Sequence, residues 1–281
     1  MNSAFQRWGL IMGFNSYEHW VNAIDKEGTL CISYGKDSLA CLRAIEILGW
    51  NLKRIVHAEV WATDTISGDL PPMAEFKKKA DAIIKDRWGI EVEHFKADTT
   101  YEKQFYTVFQ SGKNKGRIYG FPFQRGVWCN TRLKMQAIAK CKVQGVEYIG
   151  IANDEPKRFK VLTDTKLSPL RAVGWDEDLC GLWCQYSDLL SPTYCDSCRD
   201  GCWFCHNQGI EQLRALRKKY PELWELLLKW DKDSPVTFKA DGHTVHDFDE
   251  RFYLEDEGLI LPNQPFKWEM LKQPLQYHFI F

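Results

Sequence analysis

Apolar residues run along this chain in two rhythms, one of period two and one of helical spacing. Residues 29–32 form a short β-type run ending in the polar turn Ser33-Tyr34-Gly35-Lys36-Asp37-Ser38. Leu39, Leu42, Ile45 and Leu48 then recur on one face of a predicted helix that Gly49 stops. A β-branched run over 54–60 predicts a second strand, followed by a loop through Asp64 and Gly68. Pro71 and Pro72 open a helix carrying Phe76, Ala80, Ile83 and Ile84 to about Trp88. Residues 90–95 alternate as a strand, and a helix over about 131–143 leads into a strand at 146–151. Strands separated by helices predict an α/β fold with a doubly wound, mainly parallel sheet, which binds ligands at the C-terminal ends of its strands. Ser33, Asp64 and Asn153 all fall at such ends. Helices are predicted again over 210–219 and 221–230, and an acidic, aromatic segment runs to Phe281.

With 281 residues the chain has room for an α/β domain over 1–175 and a second part over 176–281. No stretch approaches the roughly 18 apolar residues of a membrane span, so no membrane association is expected. Ten cysteines without an export signal point to a reducing, cytoplasmic setting. Clustered thiols there bind metal or do chemistry rather than form disulfides.

The turn at 33–38 has the chemistry of a nucleotide phosphate site. Backbone N–H groups at a helix N-terminus attract phosphate. Lys36 adds a point charge, and Ser33 and Ser38 add hydroxyl donors. Asp37 would repel phosphate unless it holds a metal ion or orients the loop. A Walker A loop is excluded, since Leu30 and Asp37 stand where that motif needs Gly and Ser/Thr. The run instead resembles the PP-loop Ser-Gly-Gly-Lys-Asp-Ser of the ATP pyrophosphatase superfamily, with Tyr34 in place of the first Gly. That superfamily includes the phosphoadenosine-phosphosulfate (PAPS) reductases, tRNA thiolation enzymes and DNA phosphorothioation enzymes. The resemblance implies an adenine-nucleotide alpha-hydrolase-like fold, binding of ATP or PAPS through residues 33–38 and Asp64, and a catalytic part for Lys36 and Asp37.

Net charge is only −1, yet no acidic residue occurs between Glu102 and Glu147. Lys103, Lys113, Lys115, Arg117, Arg125, Arg132, Lys134, Lys140 and Lys142 fill that interval, interleaved with Phe105, Tyr106, Phe109, Tyr119, Phe121, Phe123 and Trp128. Such a region suits a polyanion whose bases stack, so 103–142 is a candidate nucleic-acid contact; the alternative is a solvated basic face whose aromatics enter the core.

Within the interval, Trp128-Cys129-Asn130-Thr131-Arg132-Leu133-Lys134 resembles the Cys-x-x-Arg-(x)-Lys element of PAPS reductases, where basic residues grip an anionic substrate. By that resemblance Arg132 and Lys134 bind the anion. Cys129, among cations, is either a nucleophile or sulfur carrier or a small buried hydrophobe. The run Gly150-Ile-Ala-Asn-Asp154-Glu155-Pro-Lys157-Arg158 resembles the Gly-x-x-x-Asp/Glu-Glu/Ser-x-x-Arg element of the same families. It offers Asp154 and Glu155 to Mg²⁺, and Lys157 and Arg158 to phosphate or sulfate. The alternative is a surface turn of mixed charge.

Cys195, Cys198, Cys202 and Cys205 lie within eleven residues, a spacing that predicts one shared metal centre. Arg199-Asp-Gly-Cys-Trp-Phe-Cys205 resembles a motif of DNA phosphorothioation enzymes and phage-borne PAPS-reductase-like proteins. The centre is either a [4Fe–4S] cluster or Zn²⁺, since both accept four thiolates. Cys180, Cys184 and His206 are spare ligands nearby. His243 and His246 receive no role.

These resemblances cover residues 28–206. They imply a PAPS-reductase-like enzyme that cleaves ATP to AMP and pyrophosphate, activating an acceptor for sulfur transfer with help from a sulfur donor. The runner-up is reduction of PAPS or adenosine phosphosulfate to sulfite by a thiol reductant protein. Thioredoxin-dependent reductases use a C-terminal Cys, and this chain has none after Cys205. A non-catalytic nucleotide- or nucleic-acid-binding protein is the third expectation, resting on Tyr34.

Overall fold

The computed structural model describes residues 25–122, 127–195, 201–262 and 264–268. They divide into two compact units, one drawn from Met1–Tyr101 and Cys129–Asp200, the other from Glu102–Trp128 and Gly201–Phe281. The expected boundary after residue 175 falls inside the first unit, because the helices on either side of it both pack on the helix that follows the polar turn. Residues 102–128 belong instead with the C-terminal part.

The first unit begins with β1 (Gly28–Ile32), α1 (Lys36–Leu48), β2 (Leu52–Glu59), α2 (Pro71–Trp88) and β3 (Val92–Lys96). The short helix α3 (Tyr101–Phe105) follows. The chain re-enters the unit through a π-helical turn, Asn130–Lys134, which runs straight into α4 (Met135–Lys140). Then come β4 (Val146–Ile149), a 3₁₀ turn (Pro156–Val161), β5 (Lys166–Leu167), α5 (Pro169–Val173), α6 (Glu177–Tyr186) and a second 3₁₀ turn (Pro192–Cys195). The five strands form one parallel sheet in the order β3-β2-β1-β4-β5.

Alternation along β1 explains its central place. Leu30 and Ile32 enter the core shared with α1, α2, α5 and α6. On the intervening position the Cys31 thiol bonds Glu147, and it interacts with Cys141 at the end of α4. Helical packing on both sides of the sheet is compatible with the doubly wound expectation. Strand order reverses between β1 and β4, so the loops leaving their C-terminal ends diverge and open a crevice there. The polar turn 33–35 and the segment 150–155 are those two loops.

Gly150 sets how closely they approach. A Cβ at this position would stand 2.7 Å from the Ser38 amide nitrogen and 2.8 Å from its Cα, closer than nonbonded atoms tolerate. Backbone therefore packs directly on backbone at the start of α1.

The predicted helix over 131–143 is broken into the π-helical turn and α4, which ends at Lys140. Strand β5 and helices α5 and α6 were not anticipated. In the second unit α7 (Ile210–Lys219), α8 (Pro221–Asp233) and α9 (Val245–Asp256) pack on one another, α9 lying where only an acidic segment was expected. Its core is aromatic: Trp203 stacks on Trp230 at 5.5 Å, Phe105 meets both Phe121 and Trp230, and Phe121 meets Phe238. No helix among the described residues is long and apolar enough to cross a membrane.

Two glycine substitutions should have opposite signs. Gly150→Ala should destabilise the first unit by about 1–3 kcal/mol, since the displaced atoms are backbone. Gly181→Ala, inside α6 with its nearest neighbour 3.7 Å away, should stabilise by about 0.5–1 kcal/mol. Urea unfolding of both variants tests the pair.

Candidate functional site

The turn after β1 is held by its own hydroxyls. Ser38 Oγ accepts from the Ser33 amide at 3.0 Å and donates to the Gly35 carbonyl at 2.9 Å, while Ser33 Oγ lies 3.2 Å from Ser38 Oγ. The Lys36 amide donates to the Tyr194 hydroxyl at 3.3 Å. Gly35 is the N-cap of α1 without a capping side chain, so the helix opens with amide groups and not with a local carboxylate cap.

Lys36 is drawn into an ion-pair cluster. Its Nζ donates to Asp37 Oδ1 at 2.9 Å and to Glu177 Oε2 at 2.7 Å. Burial pulls the Lys36 ammonium down, but the bonds to Glu177 and Asp37 outweigh it and hold the group charged well above the usual lysine range. Burial likewise raises Asp37, with Lys36 opposing the shift. Asp37, Glu155 and Glu177 each bring a carboxylate oxygen within 4.8 Å of the others. Three hard oxygen donors from α1, the β4 loop and α6 form the kind of donor set that Mg²⁺ accepts.

The residues of the β4 loop divide by role. Arg158 Nη1 donates to both carboxylate oxygens of Glu155, at 2.8 and 2.6 Å, and Glu155 also accepts from the Ala152 amide. Asp154 is turned to the start of α6, where it accepts from the Glu177 amide at 3.3 Å. Asp154 thus orients a carboxylate bearer and lies outside the cluster itself. Lys157 is exposed on the 3₁₀ turn.

Tyr34 departs most from the sequence expectation. Its φ is +61°, in the left-handed region where a bulky residue costs about 1–3 kcal/mol. The side chain is completely buried. Its hydroxyl donates to Asp81 Oδ1 at 2.5 Å and lies 3.2 Å from His94 Nε2. His94 bridges two carboxylates, Glu59 through Nδ1 at 3.0 Å and Asp81 through Nε2 at 3.1 Å. Those two bonds, Asp81's first, push the imidazole up to about 9, so His94 is a cation at neutral pH. The bond from His94 in turn holds Glu59 down at about 2. His57 is the opposite case. Burial, then the Lys77 ammonium 2.8 Å from its Nε2, lowers it to about 4. It is neutral, with Nδ1–H donating to the Ile32 carbonyl at 2.9 Å. Lys77 also pairs with Asp69 at 2.5 Å.

Glu59 connects this network to a cleft at the ends of β2 and β3. Glu59, Trp61, Asp64, Lys96, Thr100 and Leu133 contribute to the lining of its volume of about 110 Å³. The Trp61 indole N–H donates to Glu59 at 2.9 Å, and the Lys96 ammonium lies 5.0 Å above the Trp61 ring. Asp64 therefore sits on a cleft wall. Arg132 and Lys134 are exposed on the π-helical turn, either side of buried Leu133. Neither has a carboxylate partner among the described residues. Cys129, half-buried, precedes the same turn.

The acid-free basic interval is not one surface unit. Lys103, Lys113, Lys115 and Arg117 belong to the second unit, and Arg132, Lys134, Lys140 and Lys142 to the first. Of its aromatics, Phe105, Phe121 and Trp128 are buried, whereas Phe109 and Tyr119 stack at 4.2 Å across the antiparallel Val108–Ile118 bridge. Beyond that pair Lys113, Lys115 and Arg117 stand exposed.

Of the four clustered cysteines, Cys198 and the side chain of Cys195 lie outside the described residues. Cys202 and Cys205, both half-buried, close one turn, the Cys205 amide donating to the Cys202 carbonyl at 3.0 Å. The turn is anchored by Trp203 and Phe204, both buried in the aromatic core. Cys180 and Cys184, spare ligands by sequence, are instead fully buried between α6 and α1, and burial raises both thiols, Cys184 to about 12. Such thiols are inert core residues.

Sequence reasoning missed Glu177, Tyr194, Asp81 and His94. Glu177 was marked by Asp176-Glu177-Asp178 before a helically spaced apolar run, the signature of a capped helix start. The other three act across long sequence separations that leave no local signal. No protein-family model matches the chain, and no curated protein matches it.

The histidines should give stability a bell-shaped pH dependence. His94 is raised above its unfolded value, so its contribution is complete below about pH 6.5 and is lost as pH rises through about 9. His57 is depressed, so its contribution is lost as pH falls from about 6.5 through about 4. Urea midpoints across pH 4–10 should peak in between. His94→Gln should flatten the alkaline limb most, since only a smaller part of the His57 shift comes from the His94 charge.

Proposed function

We propose that this chain is a PP-loop enzyme that cleaves ATP to AMP and pyrophosphate, activating an acceptor oxygen for replacement by sulfur. The observation that carries the reading is the convergence of Lys36, Asp37, Glu155 and Glu177 on the N-terminus of α1, whose N-cap residue Gly35 has no side chain, at the strand-order reversal. Cations and amides there suit the phosphate chain of a nucleotide, and the adjoining carboxylates suit its divalent counter-ion.

In this reading the turn 33–38 at the start of α1 receives the β- and γ-phosphates, the hydroxyls of Ser33 and Ser38 exchanging their bonds within the turn for phosphate oxygens. Lys36 exchanges its carboxylate partners for phosphate oxygens. Asp37, Glu155 and Glu177 would hold Mg²⁺, which supplies charge neutralisation to the departing pyrophosphate. Asp64 and the cleft beside it receive the nucleoside. The acceptor oxygen attacks the α-phosphorus, the bond to the bridging oxygen breaks, and pyrophosphate leaves with the electron pair. A sulfur nucleophile then displaces AMP from the acceptor. Arg132, Lys134 and Lys157 are the free cations for an anionic acceptor, and Cys129 is the thiol positioned on the same turn to carry sulfur. Burial of Tyr34 supports an active loop over a degenerate one, because its ring does not project from the turn.

Exposed Lys113, Lys115 and Arg117 give the second unit by itself a basic face suited to nucleic acid, and the spacing of Cys195, Cys198, Cys202 and Cys205 suits a four-thiolate centre, [4Fe–4S] or Zn²⁺.

Two outcomes are expected. Anaerobically prepared protein with ATP, Mg²⁺, sulfide and oligonucleotide should release AMP and pyrophosphate in equal amounts. Lys36→Ala should slow that release by about 10²–10³-fold at temperatures well below its melting point, which should itself fall because Asp37 and Glu177 lose their counter-charge. Sulfite released from PAPS without ATP cleavage would favour the reductase reading instead. Separately, Cys202→Ser should lose the metal found in the parent by elemental analysis, while nucleotide binding survives. Full metal retention would remove Cys202 from the ligand set.

A further inference from the structure

Three non-glycine residues among those described have positive φ: Tyr34, Lys142 and Asp188. Lys142 and Asp188 are exposed, where the backbone relaxes at little cost. Tyr34 alone is buried, and it occupies the middle of the loop to which nucleotide binding is assigned. Backbone strain of this kind persists only where surrounding structure enforces it.

The enforcing contacts are specific. The hydroxyl is fixed by Asp81 of α2 at 2.5 Å and stands 3.2 Å from His94 of β3. The ring meets the edge of His57 at 4.7 Å, and Lys77 Nζ sits 5.2 Å above its centre. His94 is itself tied to Glu59, and Glu59 to Trp61, so the loop is linked through side chains to the wall of the cleft. A residue needed only to fill space would have no use for a buried hydroxyl clamped between a carboxylate and an imidazolium.

We propose that Tyr34 is a positioning residue: its hydroxyl, gripped by Asp81 and His94, holds the loop backbone in the left-handed conformation that carries the chain from β1 into the phosphate-facing start of α1. The inference rests on the nucleotide reading for its ligand, though not for its geometry. It accounts for how this chain reaches with a tyrosine a conformation that glycine reaches without strain.

Three variants separate positioning from packing. Melting temperature should fall in all three, least in Tyr34→Phe, which loses only the buried hydroxyl's bonds, with Tyr34→Gly among the least stable. Affinity for MgATP, measured well below all melting points, should follow a different order. Tyr34→Gly, free to adopt positive φ, should bind within about threefold of the parent. Tyr34→Phe, strained and unanchored, should bind about tenfold more weakly, and Tyr34→Ala no better than Tyr34→Phe. Amide hydrogen exchange reads the same loop without ligand. The Ser33 amide on Ser38 Oγ and the Leu39 amide on the Gly35 carbonyl should exchange at least about tenfold faster in Tyr34→Phe than in the parent.

Exchange and affinity unchanged in Tyr34→Phe, with Tyr34→Gly the weakest binder, would overturn the proposal and leave a packing role. If the parent binds no MgATP, the nucleotide reading fails, and the exchange comparison alone decides the role of Tyr34. Should Tyr34→Gly not fold, the comparison of Tyr34→Phe with the parent carries the test.

Discussion

The site depends on one steric constraint, the direct contact of two backbones where β1 and β4 part. Because Gly150 has no Cβ, the loop after β4 lies against the amide and Cα of Ser38 at the first turn of α1. That contact brings Glu155 beside Asp37, and Asp154 onto the amide of Glu177. The carboxylate cluster thus joins Asp37 to Glu155 and Glu177, which lie more than a hundred residues further along the chain, because the sheet order reverses at this point. The same reversal leaves the crevice open for a ligand.

Lys36 shows how the charges balance. Three carboxylates so close together would repel one another, and the ammonium bridging Asp37 and Glu177 offsets part of that repulsion. Beneath the loop a second network does a different job. Charged His94 and neutral His57 sit 5.5 Å apart, held in opposite protonation states by carboxylates on one side and by burial beside a lysine on the other. Loop, α2, β2 and β3 are joined through it.

Much of the first unit was legible in the sequence because each change of period coincides with a turn residue. The β1–turn–α1 unit, α2 with its proline start and β3 all follow from such changes. Strand β5 escaped because two residues show no periodicity, and α9 because acidic residues obscured the spacing of Val245, Phe248 and Phe252. Lys36 and Asp37 were singled out by the turn after β1 and Glu155 by a separate element after β4, not as one cluster, whereas Glu177 lay just beyond the last motif and Asp81 and His94 on elements with no motif. Local spacing also misleads. Cys180 and Cys184 have the look of ligands, yet their side chains fill the core between α1 and α6. The basic interval is continuous in sequence but is shared between two units, and Phe105, Phe121 and Trp128 are buried in the second.

The central claim is that the turn at 33–38 holds the pyrophosphate portion of a nucleotide. Calorimetric titration with Mg²⁺ present, comparing ATP, inorganic pyrophosphate and AMP, tests it most directly because no acceptor is needed. The account predicts that ATP and pyrophosphate bind and compete with each other, and that AMP binds at least about tenfold more weakly than ATP. Equal binding of ATP and AMP with no binding of pyrophosphate, or no binding of ATP at all, would contradict it.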